Sequence, residues 1–159
     1  MKKSLLSAVI LVEMIAGSVC SATVPQSQLE IGGIKYGATI SAVKNKLGDP
    51  IETKSHTKNG VEKTAYKYNG IEVEFIDGKV YEVEVEDNSN LKTAAGIGIG
   101  STLADVEKVY GNADAVHKDK YIYFTEDKTL KLVFKIRNGV VHEFEFGNFN
   151  HDRKFKERH

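Results

Sequence analysis

The chain has 159 residues, with 22 lysines and arginines against 22 aspartates and glutamates, 41% apolar residues, two prolines and no tryptophan. That length fits one compact domain or two small, tightly associated ones, and the apolar content suffices for a core. Balanced charge gives no global attraction to nucleic acid or an anionic membrane, and the interspersed apolar residues exclude disorder except at the ends.

The chain opens on a targeting segment. Met1-Lys2-Lys3 is a basic start, residues 5–16 are apolar apart from Ser7 and Glu13, and residues 17–22 are rich in small side chains. Cys20-Ser21-Ala22 meets the small-x-small requirement of signal peptidase, so residues 1–22 read as a bacterial signal peptide cleaved near Ala22. The apolar run is too short to cross a bilayer, and no later segment is longer. A lipoprotein signal places a small residue directly before the lipidated cysteine. Val19 stands before Cys20, so a lipid anchor at Cys20 is the lesser alternative. Cys20 is the sole cysteine, so cleavage leaves no disulfide, thiol nucleophile or thiolate metal site. The mature chain then carries 20 basic and 21 acidic residues, a net charge of −1.

Residues 23–30 form a polar leader, expected to be flexible. Residues 31–36, with two glycines among alternating apolar residues, fit a short strand or loop. Gly37 permits a turn into a helix, Thr39 is placed to cap it, and Ile40, Val43 and Leu47 form its single apolar stripe. Gly48 ends it and Pro50 blocks continuation. So short a helix is unstable alone and must pack on something.

The following segment predicts a sheet. Residues 62–68 alternate towards Tyr66 and Tyr68, Asn69-Gly70 is a strong type I′ hairpin signal, and residues 71–75 alternate strictly. Asp77-Gly78 marks a second tight turn before the alternation of residues 81–86. Asn59-Gly60 predicts a further hairpin, reached from a strand near residues 51–55. Ile71, Val73, Phe75, Tyr81, Val83 and Val85 would share one buried face, leaving the other wet.

After a polar linker at 87–93 the pattern recurs at an offset of 63 residues: Ile34, Gly37, Thr39, Val43 and Gly48 meet Ile97, Gly100, Thr102, Val106 and Gly111. Thr102 and Asp105 approximate a capping box, and Leu103, Val106 and Tyr110 repeat the stripe. Strands are expected near 115–118, 121–124, 130–136 and 140–146, with Asn138-Gly139 in the place of Asp77-Gly78. Leu130, Leu132, Phe134, Phe144 and Phe146 supply their apolar face. The expected organisation is α+β: two tandem helix-plus-antiparallel-meander repeats, 31–88 and 89–147, forming one compact unit, with a loose basic tail at 148–159.

Candidate binding residues fall on the face opposite the core. Glu72, Glu74, Glu82, Glu84 and Glu86 alternate on two adjacent strands, an acidic strip suited to a basic partner or a cation, or else a solvated face eased by Lys63, Lys67 and Lys79. In the second repeat Lys131, Lys135 and Arg137 oppose Glu143 and Glu145, so the two repeats should present different charge. The partner-binding face is therefore assigned to Glu72, Glu74, Glu82, Glu84, Lys131, Lys135 and Arg137.

Other motifs have simpler explanations. The run 96–100, Gly-Ile-Gly-Ile-Gly, lacks the buried strand that precedes a nucleotide-binding loop. Asp87-Asn88-Ser89-Asn90 lacks the glycine and late glutamate of a calcium loop. His56, His117, His142, His151 and His159 show no i, i+4 ligand spacing, and His142, in the place of Tyr81, reads as a packed histidine. Ser41 and Ser101 sit at helix starts, where capping explains them. No catalytic residue, cofactor or metal is expected.

The paired motif, Gly37-x-Thr39-x-x-x-Val43 closed by Gly48 and Gly100-x-Thr102-x-x-x-Val106 closed by Gly111, resembles the tandem fold of the β-lactamase inhibitory protein. It is also similar to the single-unit envelope lipoproteins of the SmpA/OmlA type. The resemblance spans residues 31–147 and implies a secreted or envelope protein that binds other proteins through a sheet face and its loops, without catalysis or cofactor. The inhibitor carries disulfides within its repeats, which the mature chain lacks. The expectation is a secreted or envelope-associated, non-enzymatic protein-binding module, inhibitor-like or serving envelope assembly. A ligand- or cation-binding protein using the acidic strip is the alternative, and a cell-wall hydrolase a more distant one.

Overall fold

The structure, a computed structural model, describes residues 23–58 and 60–149. The signal segment, Cys20 and the tail from residue 150 lie outside the described residues.

Two helices form where their caps place them. α1 spans Ile40–Leu47 and α2 spans Leu103–Tyr110. Thr39 Oγ1 accepts the Ala42 amide at 3.2 Å. At α2 the box is complete: Thr102 Oγ1 accepts the Asp105 amide at 3.1 Å, and Asp105 Oδ2 accepts the Thr102 amide at 2.9 Å. Each helix stops at a glycine of positive φ, Gly48 at 81° and Gly111 at 73°.

The strands follow the helices. A small hairpin, β1 (Glu30–Ile31) and β2 (Ile34–Lys35), precedes α1. After α1 come β3 (Glu52–Lys58), β4 (Val61–Tyr68), β5 (Ile71–Ile76) and β6 (Lys79–Val85). After α2 come β7 (Ala115–His117), β8 (Lys120–Phe124), β9 (Leu130–Arg137) and β10 (Val140–Asn148). These eight form one sheet in the order β3-β4-β5-β6-β10-β9-β8-β7, antiparallel throughout. The fold is α+β, with a large antiparallel sheet and two helices.

The two four-strand runs meet through their last strands. At the β6–β10 seam Phe144 stands opposite Val85, Glu145 opposite Glu84, Phe146 opposite Val83 and Gly147 opposite Glu82. Each helix entry is tied to the strand that closes its own run. Gly37 N donates to Val80 O and Val80 N to Ala38 O, both at 2.8 Å, while Gly100 N donates to Val141 O and Val141 N to Ser101 O, also at 2.8 Å.

Register gathers the core on one face. Tyr66, Val73, Val83, Phe146, Leu132 and Tyr123 lie in one row across the sheet, and Tyr68, Ile71, Val85, Phe144, Phe134 and Tyr121 in the next. Val43 of α1 and Val106 and Tyr110 of α2 pack into this cluster. The Tyr110 ring lies 5.5 Å from Phe134 and 5.6 Å from Tyr123, and Tyr123 donates to the Gly111 carbonyl at 3.2 Å. Helices this short persist because their stripes are buried here.

Several expectations change. Residues 23–30 are not a loose leader: Val24 and Leu29 are 2% and 1% exposed, and Val24 N donates to Phe124 O at 3.0 Å. The linker is not wholly polar packing either. Thr93 is buried, its Oγ1 accepting the Ile97 amide at 3.2 Å and the Tyr110 hydroxyl at 2.9 Å. Asp77-Gly78 and Asn138-Gly139 have positive φ at both residues, as a type I′ turn requires. Asn69-Gly70 closes its hairpin with positive φ at Gly70 alone, so it is not type I′. Tyr81 does not join the core by alternation. A bulge between the Glu74 and Phe75 pairings makes Tyr81 the extra residue, so Val80 takes the place opposite Phe75. His142 is the matching extra residue in β10, between Val141 and Glu143.

Candidate functional site

The face opposite the helices carries charge in rows. Ala65, Glu74, Glu82, Gly147 and Lys131 run across β4, β5, β6, β10 and β9. Beside them run Lys67, Glu72, Glu84, Glu145 and Val133. Five of the seven sequence-assigned residues therefore share the middle of one continuous surface, and Lys135, paired opposite Glu143 two residues beyond Val133, adjoins them. The faces of the two halves form one continuous surface: the seam joins them, and Lys135 Nζ reaches across it to Glu84 at 3.8 Å.

Nor is this a solvated strip. Lys63, Lys131 and Glu145 are buried, at 5%, 6% and 7% exposure. Burial of charge demands partners, and the register supplies them. Lys131 Nζ donates to Glu145 Oε1 at 3.1 Å and Lys63 Nζ to Glu74 Oε2 at 3.1 Å. Lys67 pairs with Glu72 at 3.0 Å, and Lys135 pairs with Glu143. Lys63 also stands 4.1 Å above the Tyr81 ring, whose hydroxyl donates to Asn148 O at 3.4 Å. The bulge that removes Tyr81 from the core thus uses it to seat a buried lysine.

One carboxylate is left over. Glu82, Glu84 and Glu145 offer oxygens that all lie within 4.8 Å of one another, a spacing compatible with a metal ion. Glu145 has Lys131 and Glu84 has Lys135, but no lysine or arginine among the described residues stands at ion-pair distance from Glu82. Burial first, then the facing charge of Glu145, pushes the Glu82 carboxyl up to about 8, against a smaller downward pull from Lys131. Gly147 makes the crowding possible. A Cβ there would meet Glu82 Oε2 at 2.9 Å and its Cγ at 3.0 Å.

Arg137, the seventh assigned residue, is exposed at the rim. With Glu86, Asp87, Asn88, His142 and Glu143 it borders a shallow depression of about 370 Å³. His142 Nε2 lies 3.7 Å from Asp119 Oδ2, and His56 Nε2 lies 3.9 Å from Glu74, so neither joins a second histidine. Ser101 Oγ accepts the Gly98 amide at 3.1 Å, and Thr93 N donates to Ile97 O at 2.8 Å, which makes the glycine run a tight turn. Gly147 was not singled out from the sequence, and Lys63 and Glu145, named there as neighbouring charges, were not assigned to the binding face. Alternation puts the two charged residues on this face, but only register makes them central.

No family model and no curated protein sequence matches the chain. Solved structures do show similarity. A cysteine-rich secretory protein from Staphylococcus aureus superimposes with a TM-score of 0.59 at 13% identity, over 80% of this chain and 49% of that one. The chain thus spans about half the length of that relative, and at this identity the match shows fold alone. A DUF4309-family protein from Bacillus subtilis matches at TM-score 0.41 and 14% identity, over 80% of this chain and 88% of that one. A Streptococcus mutans protein, provisionally described as a β-lactamase inhibitor protein, matches at TM-score 0.33 and 14% identity, over 79% and 89%. The sheet order and the packing of both helices on one face define a small α+β protein. No helix among the described residues is long and apolar enough to cross a membrane.

Proposed function

We propose that the chain is a secreted or envelope-associated, non-enzymatic protein-binding module, built from a duplicated helix-plus-meander unit and working through the charged sheet face. The carrying observation is that face itself. Helices cover the other side of the sheet, while this side presents charged groups held in place by ion pairs at Lys63–Glu74, Lys67–Glu72 and Lys131–Glu145. Groups already immobilised lose little side-chain entropy when a partner docks. The signal-like segment at 1–22 supports export, and an inhibitor of a secreted enzyme or a component of envelope assembly are the two subtypes that fit.

A partner for this face carries complementary charge, chiefly basic towards β5 and β6, since glutamates outnumber lysines there. The test uses the mature chain as bait against an extracytoplasmic fraction, with Glu72→Lys/Glu84→Lys as control. A partner retained by the natural chain and lost by the control is the expected result. Equal retention by both proteins, or no specific partner at moderate salt, removes the reading.

The grouping of Glu82, Glu84 and Glu145 supports a second reading, a cation site. Calorimetry with calcium, magnesium and manganese decides it: absence of both heat and thermal shift ends the idea.

A further inference from the structure

The β6–β10 seam ends in a hollow. Its last pairing in that direction is Phe144 with Val85, and two residues before Phe144 β10 carries the bulge at His142. Beyond Val85 the chain leaves β6 in a turn that is held firmly. Glu86 N donates to Gly70 O at 2.9 Å and Ser89 N to Glu86 O at 3.1 Å. Gly70 packs so closely on that turn that a Cβ there would meet Asn88 C and Ser89 N at 3.1 Å. The other wall is the β9–β10 hairpin, which turns tightly at Asn138-Gly139. The depression of about 370 Å³ lies between these walls, so neither half of the molecule makes it alone.

The charges around it are sorted by wall. Glu86 and Asp87 belong to the turn after β6, and Arg137 belongs to the β9–β10 hairpin. Glu143 is already held by Lys135. Arg137, Glu86 and Asp87 make no ion pair among the described residues, although all three border the same depression. The bulge adds a polar atom to the Arg137 side. Bulges re-aim side chains beside sites, and the two bulges here differ in what they leave satisfied. Tyr81 in β6 donates to Asn148 O at 3.4 Å. His142, its counterpart in β10, has a buried Nε2 that makes no hydrogen bond among the described residues and lies 3.7 Å from Asp119 Oδ2. A buried nitrogen in that state calls for a partner.

We propose that this depression binds a short peptide with both ends free, its carboxylate on Arg137 beside His142 and its ammonium on Glu86 and Asp87. A guanidinium is the side chain best shaped to grip a carboxylate, and a carboxylate seated there offers an acceptor to the histidine. An extended dipeptide spans up to about 7 Å, which bridges opposite charges that do not pair directly. The volume lies within the range of small-ligand sites, about 300–1,000 Å³. The inference does not rest on the protein-binding reading, whose test alters Glu72 and Glu84 and leaves these residues intact.

The experiment is calorimetric titration of the mature chain with alanylalanine, its N-acetylated form and its C-terminal amide. Side-chain nitrogen resonances of Arg137 and His142 are followed in parallel. Alanylalanine should bind and shift both side chains. Either blocked form should bind at least about tenfold more weakly, the effect of losing one charge-assisted contact. Arg137→Gln should no longer distinguish the acid from the amide, and Glu86→Gln/Asp87→Asn should no longer distinguish the free from the acetylated peptide. These substitutions fall on exposed turn residues, so melting temperatures should match that of the natural chain. Three results overturn the proposal: no binding of alanylalanine at millimolar concentration, equal binding of the blocked forms, or variants that keep the natural preference.

Discussion

Lys131 offers a sharp test of how this surface is held together. Its ammonium donates to Glu145 at 3.1 Å, and the two side chains are 8% and 10% exposed. Replacing Lys131 with methionine keeps the volume and the apolar stem but leaves Glu145 buried against Glu84 and Glu82. Removing one member of a buried ion pair typically costs about 3–5 kcal/mol, because the remaining charge is uncompensated. For a domain of this size that corresponds to a fall of about 10–15 °C in melting temperature. The double variant Lys131→Met/Glu145→Leu removes both charges and one source of repulsion on Glu82. It should recover most of the loss, since apolar replacement of a whole buried pair is often neutral or stabilising. Chemical denaturation and calorimetry on the three proteins give the comparison. A single variant within about 1 kcal/mol of the natural chain, or a double variant less stable than the single one, refutes the reasoning that this face is organised by buried pairing.

The remaining predictions concern the scaffold. Leu29→Ala should cost about 2–5 kcal/mol by chemical denaturation, because Leu29 is 1% exposed within the core cluster, whereas a loose leader would show no effect. Thr102→Ala should cost about 1 kcal/mol and more than Thr39→Ala, since only Thr102 belongs to a reciprocal capping box. Equal losses in the two cap variants would count against the box as a stabilising unit.

Local features of the fold were readable and non-local ones were not. The caps at Thr39 and Thr102, the stops at Gly48 and Gly111 and the turns at Asp77-Gly78 and Asn138-Gly139 depend on neighbours a few residues away, so their chemistry is written in place. The β6–β10 pairing depends on residues some sixty positions apart, and nothing in either strand names the other. Alternation placed Glu72, Glu74, Glu82, Glu84, Lys131 and Lys135 on one face, yet the meeting of Glu82 with Glu145 required the register. The bulges defeated alternation at Tyr81 and His142, because one inserted residue exchanges the two faces locally. Val24 and Leu29 were missed because isolated apolar residues in a polar stretch show no period, and Gly147 because a missing side chain has meaning only beside the one it makes room for.

The seam also bears on the order in which the molecule is assembled. β6 closes the first run of strands, but its partner β10 is made last among the described strands. Until β10 arrives, β6 is an edge with free amides and carbonyls, carrying an alternation of valine and glutamate. Two such edges meeting from different molecules would set their Glu82 and Glu84 carboxylates against one another, which discourages the pairing. The glutamates that crowd the finished seam therefore act earlier as a guard on an unfinished one. A polypeptide ending at residue 88 should stay monomeric in sedimentation, and Glu82→Val/Glu84→Val in that polypeptide should self-associate.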